Sequence, residues 1–232
     1  IGVGKSTAMS FLYGLLEPAS ADGKRLDRVV LEAGGGRTTI CEVNIRRGPG
    51  YGILIQPQSE PELRNLVEDF CAGSWLRRRG ADADGGEKVG VSEEVQRAIR
   101  NMSGLTVKRE RGADGRNIYK DQAIELAESC ATEEEFRARV IERMRLETRT
   151  RREIWMDDGG AKSVMRQMRD TFSAVNNGRI PDVPLPSTID LMIPEFGTSL
   201  PGISVSVVDT KGMDEVAVRA DLDARLKDSR TH

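Results

Sequence analysis

Apolar positions in the first stretch, "KSTAMSFLYGLL", recur at helical spacing through Met9, Leu12 and Leu16, which predicts a helix over residues 6–16 that stops at Pro18. A glycine triplet, Gly34 to Gly36, follows. The period then shortens to that of a strand. Residues 40–45 and the "YGILIQP" run at 51–57 read as extended. Arg47-Gly48-Pro49-Gly50 joins them, so an antiparallel hairpin is expected. Helical spacing returns over 61–76, 92–102, 121–131, 132–150 and 159–176. Thr132 with Glu135 fits a capping box, and Gly178 is well placed as the stop of the last helix. The "RRRGADADGGEKVG" segment breaks all periodicity and reads as a mobile loop near 78–90. "STIDLMIP" and "GISVSVVDT" then return to β-branched strands, joined by a loop holding Gly197 and Pro201.

Strand-forming sequence thus flanks a largely helical block. That order predicts an α/β core interrupted by a helical insertion. Its divisions are residues 1–58 for the first part of the core, 59–180 for the insertion, and 181–232 where the core resumes.

Composition narrows the function classes. The chain has 232 residues, of which 38% are hydrophobic, enough for a buried core. Its 35 basic and 37 acidic residues nearly cancel, so no overall field draws it to nucleic acid or an anionic membrane. Cys41, Cys71 and Cys130 are widely spaced and outside any CxxC, which favours reduced thiols and a cytoplasmic setting over a disulfide frame or a zinc site. A single histidine, His232, argues against histidine-based catalysis. No apolar run approaches the roughly 20 residues that cross a bilayer.

Three motifs carry chemistry. The opening "IGVGKST" matches the second half of a phosphate loop, G-x-x-x-x-G-K-[ST], so the chain is expected to be a fragment of a longer domain. Backbone N–H groups of Gly2, Val3, Gly4 and Thr7 would surround phosphate, Lys5 would reach between the β- and γ-phosphates, and Ser6 would place its hydroxyl on Mg²⁺. In "ISVSVVDTKGMDE" an apolar strand delivers Asp209 to a D-x-x-G element, where Asp209 would hold the Mg²⁺ water shell and Gly212 N–H would meet the γ-phosphate. In "GGGRTTICEVNI" a glycine-rich stretch leads through Thr38 and Thr39 into a strand. A threonine hydroxyl there would bind Mg²⁺ only when the γ-phosphate orders the loop; Thr38 is the first choice and Thr39 the alternative.

With these motifs and the strand pairing expected between "STIDLMIP" and "VSVVDTKGMD", the two ends of the chain, about 1–56 and 187–228, resemble the guanine-nucleotide domain of dynamin-like large GTPases. The resemblance implies a P-loop NTPase-type three-layer core and Mg²⁺-dependent GTP hydrolysis. It further implies self-association through the nucleotide domain, and leaves a peripheral membrane site or another partner open through regions outside this chain. By motif it assigns Lys5 and Thr38 to catalysis, Ser6, Thr38 and Asp209 to the metal, and Gly212 to the second switch. The chain departs from the family at Ile1 and Gly2, where a polar pair is usual, at Lys211, where proline is usual, and in lacking the guanine-reading [NT]KxD. Two alternatives stand beside the GTPase: a DNA-associated P-loop ATPase, against which Thr210 stands where a water-orienting glutamate is expected, and a nucleotide-gated scaffold with little turnover.

Seven arginines between Arg137 and Arg152 raise the question of a phosphate-gripping surface. The interleaved glutamates and the stripe of Phe136, Val140 and Met144 favour a solvated amphipathic helix, and no clear nucleic-acid signature results. Trp75 and Trp155 sit in no stacking pattern and are expected in the core or an interface.

Overall fold

The computed structural model describes residues 5–17, 28–31, 40–78, 91–111, 116–157, 163–194 and 207–209, with the side chains of 5–7 and 207–209 outside that description. Helix α1, Lys5–Leu12, is shorter than its periodicity suggests. It closes in a Schellman turn: Gly14 takes φ 64°, its N–H donates to Phe11 O, and Leu15 N–H donates to Ser10 O at 2.8 Å. Leu15 is then fully buried, and Leu16, expected inside the helix, instead opens the short strand β1, Leu16–Glu17, paired antiparallel with β2, Arg28–Val29.

The main sheet contains β3 (Glu42–Arg47), β4 (Gly52–Pro57), β7 (Glu153–Trp155), β8 (Pro186–Ile193) and β9 (Val207–Asp209), in the order β7-β4-β8-β3-β9. Two expected pairings are overturned. β3 and β4 do not form a hairpin, because β8 lies between them, parallel to β3 and antiparallel to β4. Nor does β8 pair with β9, which runs antiparallel to β3 instead. The physical reason is burial: Ile189, Leu191 and Ile193 on β8 are almost inaccessible, and a strand this apolar is stabilised most when flanked on both edges. The linker of residues 48–51 must then cross two strand spacings, roughly 10 Å, within the reach of about 13 Å that four extended residues have. Gly48 N–H fastens that crossing to Ile193 O at 2.9 Å.

One face of the sheet is apolar, with Val43, Ile45, Ile53, Ile55, Ile189 and Leu191 all buried in the common core. Helix α6, Val164–Asn176, contributes Met168, Phe172 and Val175 to the same core. Its capping matches expectation, since Gly178 has φ 64° and Arg179 N–H reaches Ala174 O. Gly178 is required twice over, because a Cβ there would also lie 2.7 Å from Ala98 O. The other sheet face is polar and half-open, carrying Arg46, Gln56 and Asp190. A mixed sheet with accompanying helices is therefore present.

Four helices pack beside the sheet: α2 (Glu60–Arg77), α3 (Glu93–Ser103), α4 (Gln122–Glu128) and α5 (Glu133–Met144). Ser59 and Glu62 cap α2 reciprocally, and Ser92 caps α3. At α5 the expected box is offset by one residue, because Glu135 accepts from Ala131 N–H while Thr132 accepts from Glu135 N–H. Phe136, Val140 and Met144 are fully buried, so the arginine-rich stretch does carry an amphipathic helix there, with Arg137 on Glu68 and Arg139 on Glu135. Helix α5 stops at Met144 instead of near 150, as Arg145 turns left-handed with φ 48° into a single 3₁₀ turn over Leu146–Thr148.

Strands occur inside the expected helical insertion. β5 (Val107–Arg111) and β6 (Asn117–Asp121) form a separate antiparallel ribbon, and β7 joins the main sheet beside β4. The expected helix start at 121 is accordingly the end of a strand, with Asp121 serving as the α4 cap. Trp75 is buried against Phe136, ring centroids 6.3 Å apart. Trp155 instead lies across Gly52, where a Cβ would collide with its indole. The segment expected to be mobile, from residue 79 on, lies outside the described residues.

Arg149 ties these parts together. Its buried guanidinium donates to Met144 O at the end of α5, Met102 O near the end of α3, and Ile180 O and Val183 O before β8, at 2.7, 3.2, 2.9 and 3.0 Å. Replacing it with alanine leaves buried carbonyls unpaired, and we expect a loss of about 3 kcal/mol or more in urea unfolding; a loss below about 1 kcal/mol would show that water replaces the guanidinium.

Arg100 grips Asp121 through two bonds of 2.6 and 2.7 Å. Burial pushes the Asp121 carboxyl up, but the Arg100 bonds and charge, with the Ala123 N–H, outweigh it and hold the group below its usual range. A depressed native pKa adds stability that is fully present above the unfolded value near 3.9 and is lost as pH falls through the native one. Acid titration of stability should therefore be flatter below pH ~4 in Asp121→Asn than in the parent.

Candidate functional site

The sequence motifs map to two places. Lys5, Ser6 and Thr7 open α1, so the Gly-Lys-Ser run leads directly into a helix N-terminus, where unpaired N–H groups and the helix dipole favour an anion. The helix is fixed from its other end: Met9 and Ser10 are buried, and Ser10 Oγ accepts from Leu31 N–H at 3.4 Å beside β2. Asp209 is the last residue of β9, opposite Val43 in the antiparallel register with β3. The two elements are thus described by backbone position alone. Gly2, Val3, Gly4, Thr38, the alternative Thr39, and Gly212 lie outside the described residues.

A second concave region was not anticipated. A groove of about 610 Å³ is lined by Leu54, Gln56, Arg152, Glu153 and Asp190, among others. Strand order separates it from Asp209: the groove lies over β7, β4 and β8, whereas β9 is the opposite edge, beyond β3. Its buried carboxylate is already satisfied. Asp190 accepts from Asn44 Nδ2 at 2.8 Å across the β3–β8 pair and has Arg46 Nε at 3.5 Å. Arg152 is likewise occupied, donating to Arg149 O at 3.1 Å. We read this cluster as holding the polar face of the sheet in register. Its signal in the sequence was a lone aspartate midway along the apolar "STIDLMIP" strand.

Nucleophilic thiol chemistry is disfavoured. Cys41, Cys71 and Cys130 are all buried and none is joined in a disulfide. Burial, with Glu133 and Glu68 adding to it against Arg137, pushes the Cys71 thiol up to about 12. No cluster of three or more His, Cys, Asp or Glu side chains suited to a metal occurs among the described residues. No helix among them is long and apolar enough to cross a membrane.

Comparison with known proteins gives no match to any family model, curated protein or solved structure.

The thiol geometry is open to a direct check. At pH 8 the thiolate fraction of a group near 12 is on the order of a thousandfold below that of an ordinary cysteine. Iodoacetamide should therefore leave Cys71 unmodified in the native protein and alkylate it rapidly in urea, as read by peptide mass spectrometry.

Proposed function

We propose that this chain is part of a P-loop nucleoside triphosphatase that binds a Mg²⁺–nucleotide complex, with GTP as its substrate, and hydrolyses the γ-phosphate. The observation that supports the reading is the presence in one chain of a Lys-Ser-Thr run at the start of α1, preceded in sequence by Gly4, and of a sheet strand, β9, that ends on Asp209. In this reading Lys5 neutralises β- and γ-phosphate charge, Ser6 and Thr38 supply hydroxyls to Mg²⁺, Asp209 holds the metal's water shell, and Gly212 N–H donates to the γ-phosphate. The main-chain N–H groups of Gly2, Val3, Gly4 and Thr7 complete the phosphate cradle. Water attacks the γ-phosphorus and the bond to the β–γ bridging oxygen breaks, leaving diphosphate and inorganic phosphate. Positioning and charge stabilisation carry the catalysis. The dynamin-like assignment, with self-association through this domain, rests on the same motifs.

The test uses a chain carrying a complete G-x-x-x-x-G-K-S loop. Lys5→Ala and Asp209→Ala should each abolish Mg²⁺-dependent phosphate release, and Lys5→Ala should also weaken nucleotide binding by about 2 kcal/mol through the lost charge-assisted contact. Unchanged turnover in both variants rejects the reading, while equal turnover of ATP and GTP rejects guanine selectivity. Hydrogen exchange across residues 34–39 should slow with a non-hydrolysable triphosphate and not with diphosphate; equal protection by both removes Thr38 from its role.

A further inference from the structure

Among the described residues, no other strand pairs with the β5–β6 ribbon. It pairs only with itself, from Val107↔Asp121 to Arg111↔Asn117, and every residue in it except Asp121 is exposed. An isolated two-stranded ribbon is marginal in water, since it has no face to bury. This one is nonetheless clamped at its base. Leu105 is buried, Thr106 donates through both N and Oγ1 to Gln122 Oε1 at 3.0 and 2.9 Å, and Arg100 holds both the Leu105 carbonyl and the Asp121 carboxylate. The clamp projects the ribbon as a fixed arm from the helical layer.

Its sequence is net basic. Over residues 107–121 Lys108, Arg109, Arg111, Arg116 and Lys120 outnumber Glu110, Asp114 and Asp121, and Asp121 is committed to Arg100. Glu110 is committed to Lys120 at 2.7 Å. Among the described residues no ion pair engages Lys108, Arg109 or Arg111. The register also sets Lys108 directly opposite Lys120, a like-charge pair that opposes strand pairing. On the other face Arg109 stands opposite Tyr119, itself 65% exposed, with Arg111 two positions along. A surface that concentrates cation and an exposed aromatic, at a cost to its own pairing, fits a polyanion.

We propose that the β5–β6 ribbon is a docking arm for double-stranded DNA, held mainly through phosphate contacts from Lys108, Arg109 and Arg111. Dimensions favour this occupant: five residues per strand span about 17 Å, and a two-stranded ribbon enters the major groove of B-form duplex, roughly 12 Å wide. Duplex RNA presents a major groove too narrow for it. A membrane would favour apolar side chains gathered on one face, whereas the adjacent Ile118 and Tyr119 alternate to opposite faces of the ribbon. This inference does not depend on nucleotide hydrolysis.

Fluorescence anisotropy of a short labelled DNA duplex, titrated with the full chain over a range of salt, tests it. The parent should bind with a strong salt dependence. The triple variant Lys108→Ala, Arg109→Ala, Arg111→Ala should bind at least about tenfold more weakly at low salt and lose about three from the slope of log K against log salt. A charge-matched variant at the exposed Arg47, Arg64 and Arg179 should leave binding unchanged. Circular dichroism and urea midpoint should match the parent in both variants, because all six side chains are exposed or half-exposed. Equal loss in the two triple variants, no duplex binding by the parent, or binding to phosphatidylserine vesicles in place of DNA would each overturn the proposal.

Discussion

The guanidinium of Arg149 is the contact on which the arrangement of helices and sheet depends. It carries charge in a buried position with no carboxylate bonded to it among the described residues, and spends its donors on four main-chain carbonyls from three separate parts of the chain. Burial pulls its pKa down, with the charge of Asp182 acting the other way, yet a guanidinium stays protonated in such a site. Two of the four carbonyls belong to the last turns of α3 and α5, where unpaired acceptors and the negative dipole end favour a cation. The other two belong to the segment that leads into β8. One side chain thereby fixes where two helices end and where the central strand begins, and Arg152 donates back to its carbonyl before β7 starts.

With its entry fixed, β8 dominates the sheet. Its alternating residues divide the two faces, Ile189, Leu191 and Ile193 toward the core and Thr188, Asp190 and Met192 toward the polar side. A one-residue slip would exchange these sets, moving the Asp190 carboxylate from its polar partners into the apolar core and turning three aliphatic side chains to the polar face. The bond from Asn44 Nδ2 to Asp190 adds a second penalty to such a slip, because it forms only when those two residues stand opposite each other. The sheet is therefore specified on both faces, by packing on one and by a polar pair on the other.

The regions with chemical character lie apart in this framework. Helix α1 and the strand ending on Asp209 belong to the sheet and its flanking β1–β2 pair. The basic ribbon stands on the helical layer, anchored by α3 and α4. A rigid base matters in both places, since a helix N-terminus or a projecting ribbon gains affinity for an anion when its donors are already oriented. Arg78 reinforces the helical layer in the same manner, lying over the Trp75 ring and donating to the carbonyls of Ala127 and Cys130, so that α2 and α4 move together.

Local pattern by itself determined much of the secondary structure. The helices α2, α3 and α6, their serine caps or glycine stop, and the apolar strands β3, β4 and β8 follow from periodicity and from residues whose preferences act within a few positions. The Gly-Lys-Ser run at a helix start and the aspartate at a strand end were legible for the same reason. Strand order was not, because Arg47-Gly48-Pro49-Gly50 suits a hairpin and a crossing alike, and only competition for the buried centre placed β8 between β3 and β4. The early stop of α5 was hidden as well, since it accompanies a guanidinium reaching carbonyls distant in sequence. The ribbon was missed because its strands lack alternation: with both faces in water, no period-two pattern of burial marks them. Short-range preferences are written in adjacent residues, whereas register, strand order and shared surfaces are set by contacts between residues far apart along the chain, and those exist only in the folded protein.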